Sequence, residues 1–219
     1  MNIAIAVDGP AGAGKSTISK AAAERLGFLY IDTGAMYRAA ALYVTEHGKD
    51  AGCEADVEAL LPEIDIDLCG GRVYLCGEDV TGKIRTPEIS VASSDIAVFP
   101  CVRNKLCALQ RNMAKRQSVI MDGRDVGTYV LPDAEVKVYL TTSAEVRAKR
   151  RLAELLEKGE KVSYDEVLSD ILYRDKNDST RKMAPLRKAD DAVELDTGNL
   201  TIDESIEALI SIYKEKMNA

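Results

Sequence analysis

The sequence predicts an α/β fold, a parallel sheet with helices on both of its faces. Three observations carry this. Five short apolar runs have the look of buried strands, helical patterns separate or follow them, and a glycine-rich loop lies between the first run and the first helix. Parallel neighbours need a crossover, usually a helix, and strands covered on both faces read as continuous apolar runs.

The elements follow in order. Ile3-Ala4-Ile5-Ala6-Val7 is the first strand, and Ile18 to Leu26 the first helix. Phe28-Leu29-Tyr30-Ile31 is the second strand, followed by a helix from Tyr37 to Glu46. Residues 50–87 interrupt the alternation: Ile64-Asp65-Ile66-Asp67-Leu68, Gly70-Gly71 and Arg72-Val73-Tyr74-Leu75 show period-2 patterning around a turn, which predicts a small antiparallel hairpin unit. Val91 to Lys115 reads as one helical stretch. The remaining strands are Val119-Ile120-Met121, Val136-Lys137-Val138-Tyr139-Leu140 and Ala192-Val193-Glu194-Leu195. Helical patterns cover Ala144 to Lys158, Tyr164 to Tyr173 and Ile202 to Lys216, and the stretch 147–189 is crowded with arginine and lysine.

Composition narrows the function classes. With 219 residues the chain suits one α/β domain with insertions or two small domains. A net charge of −7 argues against broad binding to nucleic acid or anionic membranes, and no run approaches the 18 apolar residues of a membrane span. The N-terminus lacks the basic region of a secretory signal. Five cysteines (Cys53, Cys69, Cys76, Cys101, Cys107) show no Cys-x-x-Cys spacing, and His47 is the single histidine. That set does not suit zinc; reduced thiols in the cytoplasm are the simplest expectation.

Gly9-Pro10-Ala11-Gly12-Ala13-Gly14-Lys15-Ser16-Thr17 fits the phosphate-binding loop pattern. Glycines let backbone N–H groups turn inward around a phosphate, and the following helix adds its positive N-terminal end. Lys15 reaches the β- and γ-phosphates, and the Ser16 hydroxyl is placed to hold Mg²⁺. The loop therefore predicts binding of a nucleoside triphosphate, without saying where the γ-phosphate goes.

Three further clusters bear on that question. Asp32-Thr33-Gly34-Ala35-Met36-Tyr37-Arg38 closes the second strand and opens a helix, so Arg38 could meet a second phosphate; a plain helix cap, with Thr33 as the capping residue, is the alternative. Asp122-Gly123-Arg124-Asp125-Val126-Gly127-Thr128 follows the third strand, where an acid such as Asp122 helps hold Mg²⁺ through water. A surface turn using Asp and Gly is the rival explanation. The third cluster comprises Arg147, Lys149, Arg150 and Arg151, then Arg174, Asp175, Asp178, Arg181 and Lys182. It reads either as a solvated, salt-bridged helix face or as a basic helix pair that closes over transferring phosphate.

Taken together these blocks resemble the nucleoside monophosphate kinases, most closely the bacterial cytidylate kinase family. The likeness is carried by Asp8 to Thr17, Asp32 to Arg38, Ile84-Arg85-Thr86, Phe99-Pro100-Cys101-Val102-Arg103, Asp122 to Thr128, and Arg174-Asp175 through Ala184-Pro185-Leu186. It implies a three-layer P-loop fold with a central five-stranded parallel sheet, a small β-containing monophosphate-binding insert and a helical lid. The implied boundaries are a core of 1–36, 91–146 and 179–219, an insert of 37–90, and a lid of 147–178 carrying Arg147, Arg150, Arg151 and Arg174.

By the same resemblance, Thr33, Arg103 and Asp125 read cytosine. Ser94, Asp178 and Arg181 lie near the sugar, with Arg181 also reaching phosphate, and Arg38 and Arg124 hold the acceptor phosphate. Lys15, Arg124 and Arg181 would be catalytic. The implied reaction transfers phosphoryl from ATP to CMP or dCMP with Mg²⁺ in pyrimidine nucleotide metabolism, in a cytoplasmic monomer with no nucleic-acid or membrane partner. Part of this agrees with the chemistry, since a carboxylate such as Asp125 accepts from the cytosine N4 amino group, where uracil has a carbonyl. Two rivals differ in class: a small-molecule kinase with another acceptor, and a nucleotide switch. The switch's guanine-reading Asn-Lys-x-Asp block is absent.

Overall fold

The computed structural model describes residues 2–157 and 159–218. The chain forms two compact units, one drawn from residues 1–30 and 117–219, the other from 31–116. Five strands build the central sheet: β1 (Ala4–Asp8), β2 (Leu29–Asp32), β6 (Val119–Gly123), β7 (Val136–Thr141) and β8 (Val193–Asp196), in spatial order β2-β6-β1-β7-β8. Pairings β6–β1, β1–β7 and β7–β8 are all parallel. Each strand matches one of the predicted apolar runs to within a residue or two, because burial on both faces demands an unbroken apolar string.

In the first unit, α1 (Lys15–Leu26) and α8 (Ile202–Asn218) pack together against the sheet. Ile18, Ala22, Leu209 and Ile206 meet Ile5, Val7, Ile120, Val138 and Leu140, all buried. Helix α1 stops at Gly27, which takes a left-handed conformation at φ 69° so that the chain turns into β2. Helices α6 (Ala144–Glu157) and α7 (Tyr164–Thr180) form a pair with its own small core of Ala148, Leu155, Val167 and Ile171. Ser163 starts α7 with a capping box, its hydroxyl accepting from the Glu166 amide while Glu166 bonds back to the Ser163 amide.

The second unit holds α2 (Thr33–Glu46), α3 (Glu54–Leu60), α4 (Pro87–Ile96) and α5 (Pro100–Ala114), together with an antiparallel sheet of β3 (Ile66–Cys69), β4 (Arg72–Leu75) and β5 (Glu78–Asp79). The hairpin lies where the period-2 pattern puts it, with Cys69 opposite Arg72 across the Gly70-Gly71 turn.

Two readings of the sequence need correction, and one helix, α3, is not among the elements it predicts. The stretch from Val91 to Lys115 is not one helix: Phe99 is extended at ψ 125°, and α5 starts afresh at Pro100. Proline lacks an N–H and pushes its predecessor out of the helical region. The acidic helix α3 has no apolar stripe to announce it, since Val57 is its single buried residue. Helix α7 runs seven residues past Tyr173 to Thr180 through Arg174-Asp175-Lys176-Asn177-Asp178-Ser179-Thr180, a segment without apolar periodicity. No helix among the described residues is long and apolar enough to cross a membrane.

Candidate active site

The phosphate loop leaves β1 at Gly9, whose φ is 155°; a Cβ there would stand 2.0 Å from the Leu140 carbonyl oxygen, so only glycine fits. Lys15 begins α1, is buried, and donates from Nζ to the Pro10 carbonyl at 2.7 Å. Burial, reinforced by the charge of Arg124, lowers its pKa to about 7, against the pull of Asp122, Asp178 and Asp8. Such a lysine is poised to gain a charge partner.

Ser16 donates from Oγ to Asp122 Oδ2 at 2.9 Å, and the Tyr30 hydroxyl donates to Oδ1 of the same carboxylate at 2.9 Å. Asp122 lies inside β6 and is almost fully buried. One carboxylate and one hydroxyl are hard oxygen donors, and Mg²⁺ characteristically takes one or two such protein ligands and fills the rest of its shell with water and phosphate oxygens. The donor set fits magnesium.

Just beyond β6, four of the predicted residues come together. Arg124 Nε lies 2.6 Å from Asp178 Oδ2, and Arg181 Nη2 lies 2.8 Å from Asp125 Oδ1. Arg181 Nη1 also faces Asp178 Oδ1 at 3.8 Å, which joins both pairs into one alternating network. Burial opposes ionisation of Asp178, yet Arg124, then Arg181 and Arg174, hold its carboxyl below the usual carboxylate range. Arg181 ends α7 and donates from Nε to the Ala184 carbonyl at 2.7 Å; Ala184 sits at φ 48°, a strained conformation for a residue with a Cβ.

The basic stretch divides. Arg147 is buried, donating from Nη1 to the Ala11 carbonyl at 2.8 Å and from Nε to the Thr142 carbonyl at 3.2 Å. Its Nη2 lies 2.6 Å from Asp175, whose other oxygen accepts from the Ala11 amide at 3.3 Å. Arg150 donates to the Thr197 carbonyl at 2.8 Å. Arg151 instead forms an exposed pair with Glu154 at 3.1 Å, and Arg174 is half-buried on α7.

The second unit carries the other predicted residues. Asp32, not Thr33, caps α2, accepting from the Ala35 amide at 2.8 Å; Thr33 is the first helical residue and is buried. Asp32 also holds Arg38 Nη2 at 3.1 Å, and Arg38 Nε is buried without a hydrogen-bond partner. Gly34 makes room for this pair, since a Cβ would press on Arg38 Nη1 and Asp32 Oδ1 at 3.2 Å each. Arg103, on α5, is fully buried, donates to the Ala97 carbonyl at 3.4 Å and lies 5.9 Å from the centre of the Tyr37 ring. Ser94, on α4, donates to the Ser90 carbonyl of its own helix at 3.3 Å.

Sequence reasoning assigned no role to Asp8, Tyr30 or Asp175. Asp8 accepts from the Val126 and Gly127 amides, at 2.7 Å each. Burial raises its pKa to about 6 against the pull of those two amides. The one visible signal was polarity out of place: a tyrosine in an apolar strand, and acids beside arginines in a helix without an apolar stripe.

Comparison with known proteins bears on identity. The sequence model of the family described as cytidylate kinase matches residues 5–215. A cytidylate kinase of Thermosipho melanesiensis is 50% identical, with 97% of each chain covered. One from Caldicellulosiruptor saccharolyticus is 52% identical over 96% of this chain and 95% of the relative. Among solved structures, shikimate kinase from Bacteroides thetaiotaomicron aligns over 100% of both chains with a TM-score of 0.50 at 17% identity. A gluconokinase from Sinorhizobium meliloti gives the same TM-score and identity over 99% of this chain and 95% of its own. These two bear on the fold alone. With nearly its whole length matched at about half identity, the chain belongs to the cytidylate kinase family.

Proposed function

We propose that the protein transfers the γ-phosphoryl group of ATP to the 5′-phosphate of CMP or dCMP, giving ADP and CDP or dCDP. The observation that carries this reading is the network Arg124–Asp178–Arg181–Asp125 in the same unit as the phosphate loop. It offers two guanidinium groups for phosphate and carboxylates for sugar and base, beside a lysine whose charge is disfavoured by burial and by Arg124.

The chemistry asks little of a general base, because an acceptor phosphate oxygen is already anionic. Alignment and charge stabilisation supply the rate. Gly9 to Thr17 would cradle the ATP phosphates with backbone amides, and Lys15 would take β- and γ-oxygens. Magnesium, held by Ser16 and by Asp122 directly or through water, would neutralise charge on the β- and γ-phosphates when bound. Arg38 and Arg124 would hold the acceptor phosphate, and Arg181 would add charge as it develops. Asp125, steadied by Arg181, would accept from the cytosine N4 amino group, with Thr33 and Arg103 as further base contacts. Asp178 and Ser94 would face the sugar.

In this reading residues 1–36, 91–146 and 179–219 are the core, 37–90 the monophosphate-binding insert and 147–178 a lid that carries Arg147, Arg150, Arg151 and Arg174; closure of lid and insert would exclude water. The second compact unit, 31–116, extends beyond that insert at both ends. A cytoplasmic monomer without nucleic-acid or membrane partners completes the proposal.

The test is coupled ADP release across CMP, dCMP, UMP, AMP, GMP and shikimate. Turnover stimulated chiefly by CMP and dCMP is expected. Preference for another acceptor, or slow hydrolysis indifferent to all of them, would overturn it.

A further inference from the structure

The first turn of any helix leaves amides without intrahelical acceptors, and normally the residue just before the turn caps them with its own side chain. Residues Val126–Val130 form one π-helical turn, closed by the Tyr129 and Val130 amides donating to the Asp125 carbonyl and by the Leu131 amide donating to Val126. Asp125 precedes this turn and is of the type that caps best, yet it makes no side-chain cap. Its Oδ1 takes Arg181 instead. The capping is done from another strand. Asp8, the last residue of β1, accepts from the Val126 amide on Oδ1 and from the Gly127 amide on Oδ2, both at 2.7 Å.

A carboxylate almost fully buried is costly unless its lone pairs are satisfied, and here both oxygens are. The arrangement also fixes direction. With Val126 and Gly127 held by the end of β1, the backbone of Asp125 is pinned at φ −149° and ψ 25°, and its carboxylate is directed at Arg181 rather than back onto its own helix. π-Turns of this kind recur at functional sites.

We propose that Asp8 is a positioning residue for acceptor selection: by capping the Val126–Val130 turn from outside, it relieves Asp125 of that task and holds the Asp125 carboxylate where the acceptor's base is read. This rests on the proposed reading of cytosine by Asp125. Asp8 touches neither nucleotide in the scheme; its charge also acts on Lys15, but its effect on the choice of acceptor passes through the turn.

The experiment compares Asp8→Asn with Asp125→Asn and with the double variant, measuring KM for CMP, KM for ATP and the CMP-to-UMP ratio of kcat/KM. The asparagine keeps the size of Asp8 but turns one acceptor into a donor facing an amide. Displacing Asp125 should raise KM for CMP and shrink the CMP-to-UMP ratio by about tenfold to a hundredfold, whereas the lost charge beside Lys15 acts on ATP binding and leaves that ratio alone. In the Asp125→Asn background the same change at Asp8 should add almost nothing to the loss of preference. A merely structural Asp8 would move both KM values together and leave the ratio alone, which would overturn the proposal. Should Asp8→Asn fail to fold, Asp8→Glu takes its place, since it keeps both acceptors but pushes them one methylene further. Retained preference there also overturns it. If Asp125→Asn itself leaves the ratio intact, the base-reading assignment falls; if only the Asp8 variants leave it intact, the positioning role alone falls.

Discussion

Arg147 on α6 and Asp175 on α7 meet at 2.6 Å, and together they grip both backbone groups of one residue in the phosphate loop: the arginine donates to the Ala11 carbonyl, the aspartate accepts from the Ala11 amide. The helix pair is therefore fastened to the loop by a buried cation with three acceptors. Four residues on, Arg151 pairs with the exposed Glu154. Removing one partner of a buried pair strands the other, so Arg147→Ala is expected to cost about 3 kcal/mol in urea unfolding. Arg151→Ala should stay within about 0.5 kcal/mol of the native protein. Equal costs would contradict the placement of Arg147.

Lys15 gives a proton signature. Its pKa is lowered from 10.5 to about 7 by burial and by Arg124. Phosphate oxygens favour the charged amine and return the pKa upward. The free protein then binds fewer protons than the complex between those two values, so nucleotide binding takes up a proton at pH about 8.5, where the ADP phosphates are fully ionised, and less as the pH falls toward about 7. Titration calorimetry with ADP, without magnesium and in buffers of differing ionisation enthalpy, checks this. Proton release, or heats independent of buffer at the higher pH, would contradict it.

Ser16 and Asp122 share a hydrogen bond at 2.9 Å and form the proposed magnesium site. Chelation of magnesium should abolish turnover. Ser16→Ala and Asp122→Asn should each shift half-saturation by magnesium upward by about tenfold or more. Magnesium titrations of the initial rate measure this, and an unchanged midpoint in both variants would remove these residues from the site.

Leu209 of α8 is completely buried against α1 and the sheet. Leu209→Ala is expected to cost about 2–5 kcal/mol in unfolding free energy, with KM values little changed. A loss below about 1 kcal/mol would mean that this layer collapses around the gap more easily than close packing allows.

The strands and the phosphate loop were legible in the sequence because each obeys a local rule: unbroken apolar runs for doubly covered strands, and glycines where a Cβ cannot stand. The break at Pro100 was equally local and readable, yet apolar periodicity on either side of it hid two helices behind one pattern. The last seven residues of α7 defied local reading because they carry no apolar stripe, and Asp175 and Asp178 among them answer to distant partners, Arg147 and Arg124. The same holds for the unassigned residues. Asp8 finds Val126 across 118 positions, Asp175 finds Ala11 across 164, and Tyr30 finds Asp122 across 92. A polar residue's type suggests what it can bind, and the fold alone decides which partner arrives.

In the proposed reading the choice of base depends on Asp125, which pairs with Arg181 at 2.8 Å. The decisive measurement is kcat/KM for CMP and UMP with the native protein and with Asp125→Asn, whose amide both donates and accepts. A strong native preference for CMP that falls by about a hundredfold or more in the variant is the expected result, as befits a site built to hydrogen-bond a substrate amino group. A variant that folds, turns over and keeps the full native preference would contradict the assignment of cytosine reading to Asp125.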